Sequence, residues 1–182
     1  DFDPDVMIKK IDAAFSFMQP KPVPKYTFEP EQPIAAPVVA EVFGPDAENV
    51  TIGFRLPGNK DKDVLLADLV GAILTNGKAG LIDLNLVKKQ KLLRASASTY
   101  TLIDYGMLYM SGSPSMGQSL DEVQSLMLGE VENLKKGNFD ADLITSIVNN
   151  MKKDLIEESE KYGSRARSEE HTSELQSQFR IS

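Results

Sequence analysis

Apolar positions along the chain recur in two periods, and the periods divide it into helices and strands. Met7, Ile8, Ile11, Ala14, Phe15 and Met18 follow helical spacing near the start. Asp3 precedes this stripe as an N-cap, and Pro4 suits the first helical position, where no amide is needed. Val50, Ile52, Phe54 and Leu56 alternate with Thr51, Gly53 and Arg55, the signature of a half-buried strand. Pro57-Gly58-Asn59 ends it. The short apolar run 38–43 predicts an earlier strand. Asp61 or Asp63 opens a helix with Val64, Leu65, Leu69, Ile73 and Leu74 inward, and Asn76-Gly77 stops it.

The second half continues in the same way. Residues 81–91 predict a shorter helix. Residues 93–102 and 107–111 alternate small apolar with polar side chains and predict a hairpin, turning near Asp104 and Gly106. Ser119 and Glu122 form a capping box for a helix with the stripe Leu120, Val123, Met127, Val131 and Leu134. Lys135, Lys136 and Gly137 suit its C-terminus. Asp140 caps a last helix with Leu143, Ile144, Ile147, Val148, Met151 and Leu155 inward. Two strands, two helices, two strands and two helices make an α+β layer, an antiparallel-rich sheet with helices on one face.

Composition narrows the chemistry. The chain has 182 residues, 41% hydrophobic and 26% charged, which excludes disorder and membrane embedding as its dominant character. No Cys is present, so neither a disulfide framework nor a thiolate metal site is possible. A single His excludes any site built on two imidazoles. The formal charge of −7 argues against nucleic acid as the main partner, and no apolar run reaches the length of a membrane span. Six of the ten prolines fall within 19–37, an extended, semi-rigid linker.

The final residues stand apart. The run 167–177, RSEEHTSELQS, resembles the translation of a common DNA-sequencing adapter over eleven consecutive positions. On this reading the natural chain stops near Ala166, and the lone His171 belongs to the appended tail. Removing the tail's two arginines and three glutamates leaves a charge of −6, so the acidic character persists.

Several groups invite a chemical reading, and each has a plainer one. His171 with Glu169, Glu170 and Glu174 offers metal ligands, but one imidazole and scattered glutamates define no site. Gly77-Lys78-Ala79-Gly80 hints at a phosphate cradle yet lacks the GxxxxGK[ST] pattern, and a turn accounts for it. Lys88, Lys89, Lys91 and Arg94 form a basic cluster able to orient an acidic peptide or a partner domain; a solvated helix face is the ordinary alternative. Asp61 with Asp63, and Glu157, Glu158 and Glu160, lack spacing that singles out acid–base work. Met107, Tyr109 and Met110 suit either a peptide groove or sheet packing. No catalytic, cofactor-binding or metal-ligating residue is assigned.

The order of soft motifs resembles one family. Asp1-Phe2-Asp3-Pro4-Asp5 is similar to the end of the first domain of M16 (insulinase, pitrilysin-like) zinc peptidases. Val50 to Pro57 resembles the early strand of that family's second domain. The helix through Leu74 and the segment from Gly77 to Leu86 resemble its later motifs, as do Ser111 to Pro114 and the closing helix pair. The run from Asn76 to Leu86 is most similar to large bacterial M16 proteins, of Bacteroidetes type. The resemblance implies a division into 1–19, the terminal helix of a preceding M16 domain; 20–37, the linker; 38–166, a second, non-catalytic domain; and 167–182, the adapter-derived tail.

The resemblance also implies a division of labour. Family chemistry rests on an inverted His-x-x-Glu-His zinc motif and a distal Glu, none of which this chain holds. No cofactor is expected here, and zinc is expected in the parent protein. Supportive copies of the second domain carry an Arg and a Tyr; Val87 and Arg94 stand at those positions here. The implied role is to shape a peptide-degradation chamber and support peptide binding, beside a zinc-bearing domain and a second M16 half. The alternative is an M16-like scaffold subunit without peptidase activity. Absent Cys suits periplasm or cytoplasm, and the resemblance tilts towards a bacterial periplasm.

Overall fold

The computed structural model describes residues 2–163 other than 20, 23 and 25. Two compact units follow one another, Asp1–Phe43 and Gly44–Ser182. The first contains helix α1, Pro4–Phe15, whose cap forms as the sequence predicts: Asp3 Oδ1 accepts from the amides of Asp5 and Val6 at 2.9 and 3.2 Å. No residue of α1 is buried. The expected strand at 38–43 is absent: these residues are irregular, and Val38, Val39, Val42 and Phe43 are exposed. Apolar β-branched residues favour a pleated, covered surface, and among the described residues no strand pairs with this run to supply backbone partners or cover.

The second unit holds a three-stranded antiparallel sheet in the order β1-β3-β2, with β1 Val50–Pro57, β2 Arg94–Thr101 and β3 Tyr105–Ser113. The fold is α+β, as expected. The hairpin turns through residues 102–104, where the Leu102 amide donates to the Tyr105 carbonyl at 2.8 Å. Gly106, expected at the turn, pairs with Thr101 within β3 instead. A Cβ there would lie 3.1 Å from the Tyr100 carbonyl and 3.2 Å from that of Pro57, so the central strand is closely flanked on both sides.

Among the described residues, three α-helices pack in this unit: α2 Asp63–Leu74, α3 Leu120–Lys135 and α4 Ala141–Glu160. Asp61 opens α2 by accepting from the Asp63 amide at 2.9 Å. Ser119 Oγ accepts from the Glu122 amide at 3.2 Å, but among the described residues Glu122 makes no return bond, so only half of the capping box forms. Gly137 takes a left-handed φ of 69° after α3, and Asp140 caps α4 through the Asp142 amide at 2.9 Å.

Ile73, Leu74, Leu81, Ile82, Leu86, Leu92, Met110, Val123 and Met127 form the core, joined by Leu143 and Ile147. Several predicted inward positions face out instead. Leu65 is 66% exposed, because α2 lays Ala67, Gly71 and Leu74 inward, and Leu65 falls outside that stripe. Leu155 is 70% exposed, because only Leu143 and Ile147 of α4 are buried, and both lie in its first half.

Candidate functional site

The sheet has two unlike faces. On one, Val50, Gly112 and Ala95 lie in register, then Ile52, Met110 and Ala97, then Phe54, Leu108 and Thr99. Helices cover this face closely. A Cβ on Gly112 would meet Met127 Sδ at 2.8 Å and Val123 Cγ1 at 2.9 Å, so α3 requires glycine-like room there. Just after α2, Thr75 Oγ1 accepts from the Ala97 amide at 3.0 Å, and the Thr99 hydroxyl donates to Asp68 of α2.

The opposite face carries Thr51, Ser111 and Ser96 in one row, Gly53, Tyr109 and Ser98 in the next, and Arg55, Met107 and Tyr100 in a third. The helices of the unit pack on the other side. Tyr100 is 58% exposed and Met107 39%. The Arg55 guanidinium lies 5.8 Å from the centre of the Tyr105 ring, within cation–π range. Met107 and Tyr109 therefore belong to this open face, while Met110, grouped with them by sequence, is fully buried in the core. Adjacent residues of a strand point to opposite faces, which separates Tyr109 from Met110.

The loop after α2 resolves the hint of a phosphate cradle. Asp83 Oδ2 accepts from the amides of Asn76 at 2.9 Å, Gly77 at 2.8 Å and Gly80 at 3.3 Å. Asn76 Oδ1 accepts from Lys78 and Ala79 at 3.0 and 2.8 Å. The loop's amides thus converge on an internal carboxylate, which takes the place an anion would occupy. This role of Asp83 was missed in the sequence. The spacing of a short acidic side chain three residues after Gly80 was its only signal.

The helix expected over 81–91 is interrupted. Asp83–Val87 is a π-helical turn, in which the Lys88 amide reaches the Asp83 carbonyl at 2.9 Å and that of Lys91 reaches Leu86 at 2.8 Å. Gln90 follows with a φ of 56°, unusual for a residue other than glycine. Asn85 on this turn donates to buried Glu130 Oε2 at 2.9 Å, and Asn133 donates to the same oxygen at 3.1 Å. Two amide donors satisfy a carboxylate that burial would otherwise penalise. The sequence reading missed Glu130 as well, since it sits among ordinary helix charges.

Lys88, Lys89, Lys91 and Arg94 are all exposed. Asp61 accepts from the Asp63 amide at the start of α2, while Glu157 pairs with Lys153 at 3.3 Å in an exposed ion pair. His171, Glu169, Glu170 and Glu174 lie outside the described residues.

Comparison with known proteins places this architecture. The family profile described as "Peptidase M16 inactive domain" matches residues 1–151. The chain belongs to the M16 peptidase inactive-domain family. Among curated relatives of this M16 domain, a zinc protease, PqqE, from Helicobacter pylori is 26% identical over 132 residues, covering 72% of this chain and 30% of that protein. A solved structure titled as a protease from Helicobacter pylori matches with a TM-score of 0.60 and 24% identity. That match covers 65% of this chain and 29% of the other, and shows the shared fold. The chain thus spans under a third of each relative's length.

The family's zinc does not fit the residues present in this M16 domain. A catalytic zinc site needs about three protein ligands, commonly imidazoles. The chain has one His and no Cys. Among the described residues, no three His, Cys, Asp or Glu side chains are placed to share a metal ion. No helix there is long and apolar enough to cross a membrane.

Proposed function

We propose that this chain is a non-catalytic domain of an M16 zinc metalloendopeptidase, shaping the chamber in which peptides are degraded and supporting their binding. The open sheet face carries the reading. It is a broad surface of hydroxyls, tyrosines and a methionine that the unit's own helices leave uncovered. Such a surface offers mixed polar and apolar contacts without demanding one sequence, which suits extended peptides of varied composition. The outer strands β1 and β2 each have one strand neighbour among the described residues. An outer strand presents backbone donors and acceptors to which an extended peptide adds.

In this reading, residues 1–19 close a preceding M16 domain, 20–37 link it to the second, and zinc resides in that neighbour. The parent is bacterial, and the periplasm is the favoured compartment. The test is peptide hydrolysis by the complete reading frame that contains this chain. Zinc-dependent cleavage is expected from the whole protein, reduced cleavage after removal of 44–163, and none from this chain alone. Zinc-dependent cleavage by this chain would overturn the non-catalytic assignment. A whole protein that binds partners but cleaves no peptide would support a scaffold subunit instead.

A further inference from the structure

The segment 76–96 has a charge opposite to the rest of the molecule. It holds Lys78, Lys88, Lys89, Lys91 and Arg94 against one acidic residue, Asp83, in a chain whose net charge is −7. All five cations are exposed, and none forms a salt bridge among the described residues. Asp83 is buried, its Oδ2 accepting from three backbone amides. Glu130, the other carboxylate joined to this segment, is also buried and accepts from Asn85 and Asn133.

The lysines are held rather than loose. Lys88 Nζ donates to the Lys78 carbonyl at 2.6 Å, tying the π-helical turn to the loop after α2. Lys89 Nζ donates to Asn85 Oδ1 at 3.0 Å, and Asn85 is anchored in turn by Glu130. An ammonium group has three donors, so each retains others for a ligand. Leu84 and Leu93, 41% and 66% exposed, lie among the cations and add apolar area.

We infer that this π-turn segment is a docking site for acidic extended peptide, which binds by carboxylates on the lysines and Arg94 with apolar side chains beside Leu84 and Leu93. The inference rests on the peptide-handling reading above and adds a substrate class to it. A cluster of cations on a chain of net charge −7 attracts ligands of negative charge locally against the net repulsion of the rest, which favours binding at this segment.

The test measures fluorescence anisotropy of labelled peptides with the purified 182-residue chain. The probes are an acidic Glu-Ala-Leu repeat, its Lys-Ala-Leu counterpart and a single-stranded oligonucleotide. The acidic peptide is expected to bind best, and to lose about fivefold or more in affinity when salt is raised through the range that screens exposed charges. Lys91→Glu with Arg94→Glu removes binding, and the milder Lys88→Gln with Lys89→Gln weakens it about threefold or more. Lys152→Glu with Lys153→Glu, on α4, leaves it unchanged. Circular dichroism verifies that each variant folds, and the glutamine pair decides the matter where the charge reversal does not fold. Absence of acidic-peptide binding overturns the inference, as does equal binding of both peptides, tighter oligonucleotide binding, or equal loss from the α4 pair. None of these outcomes measures cleavage, so the non-catalytic assignment stands or falls separately.

Discussion

Helices α1 and α3 carry the same kind of sequence signal and meet different fates. Each has a polar N-cap that forms, Asp3 in one and Ser119 in the other. Each has an apolar stripe at helical spacing. In α3 the stripe delivers Val123 and Met127 to the core, where both are fully buried and pack beneath Gly112 of β3. In α1 no residue is buried, and Met7, Ile11 and Phe15 remain exposed. An amphipathic pattern specifies which face of a helix seeks cover but not what covers it. The capping bond is local and forms in both. Burial is not local, and stability follows burial.

The sharpest way to break this comparison is to truncate each stripe. Met127→Ala should cost about 2–5 kcal/mol, because the removed atoms leave a cavity among Val123, Met110 and the sheet. Met7→Ala with Ile11→Ala should change the urea midpoint of the same chain by less than about 0.5 kcal/mol in equivalent stability. Equal losses would show that the α1 stripe is buried in solution.

A smaller effect is expected from the loop carboxylate. Asp83→Ala leaves the amides of Asn76, Gly77 and Gly80 without their acceptor and should destabilise the second unit by about 1–3 kcal/mol. Amide exchange should rise first at these three positions. Unchanged exchange there would mean that water replaces the carboxylate without cost.

The caps give a finer contrast. Ser119→Ala should lower the midpoint of cooperative unfolding by about 1 kcal/mol in equivalent stability. Asp3→Ala should reduce local helicity in α1, read from chemical shifts, and leave that midpoint unmoved. A shift of the midpoint by both would couple the two helices in one folding unit.

The smallest effect is electrostatic. A hydrogen bond from Lys135 to Glu132, 2.7 Å long, and the attraction of that ammonium hold the exposed Glu132 carboxyl below its usual range. A carboxyl with a lowered folded-state pKa favours folding above its unfolded value and loses that preference as pH falls through the folded one. Full exposure makes this contribution slight. Lys135→Ala should return the Glu132 titration, followed by NMR, towards the ordinary carboxylate range.

Local signals in the sequence determined a good deal of this molecule. The alternation of Val50 to Leu56, the caps at Asp3, Ser119 and Asp140, and the stops at Gly77 and Gly137 were all legible. Each depends on residues only a few positions apart. The family was legible for a different reason, since the order of many weak motifs is preserved along the chain. The lack of two imidazoles was visible in the count alone.

Tertiary structure decided what depends on distant partners. The run 38–43 has the residues of a strand, and no strand pairs with it among the described residues. Leu65 and Leu155 have helical spacing and stay exposed among the described residues. Met110 and Tyr109 are neighbours in sequence and lie on opposite faces of a sheet whose middle strand is β3. Asp83 and Glu130 look like ordinary acidic residues until the loop amides and the two asparagines turn towards them. The candidate surfaces divide in the same way. The lysines of 88–91 were plain in the sequence, whereas their setting on a π-helical turn, held by Asn85 and the Lys78 carbonyl, arises only when segments far apart in the chain pack together.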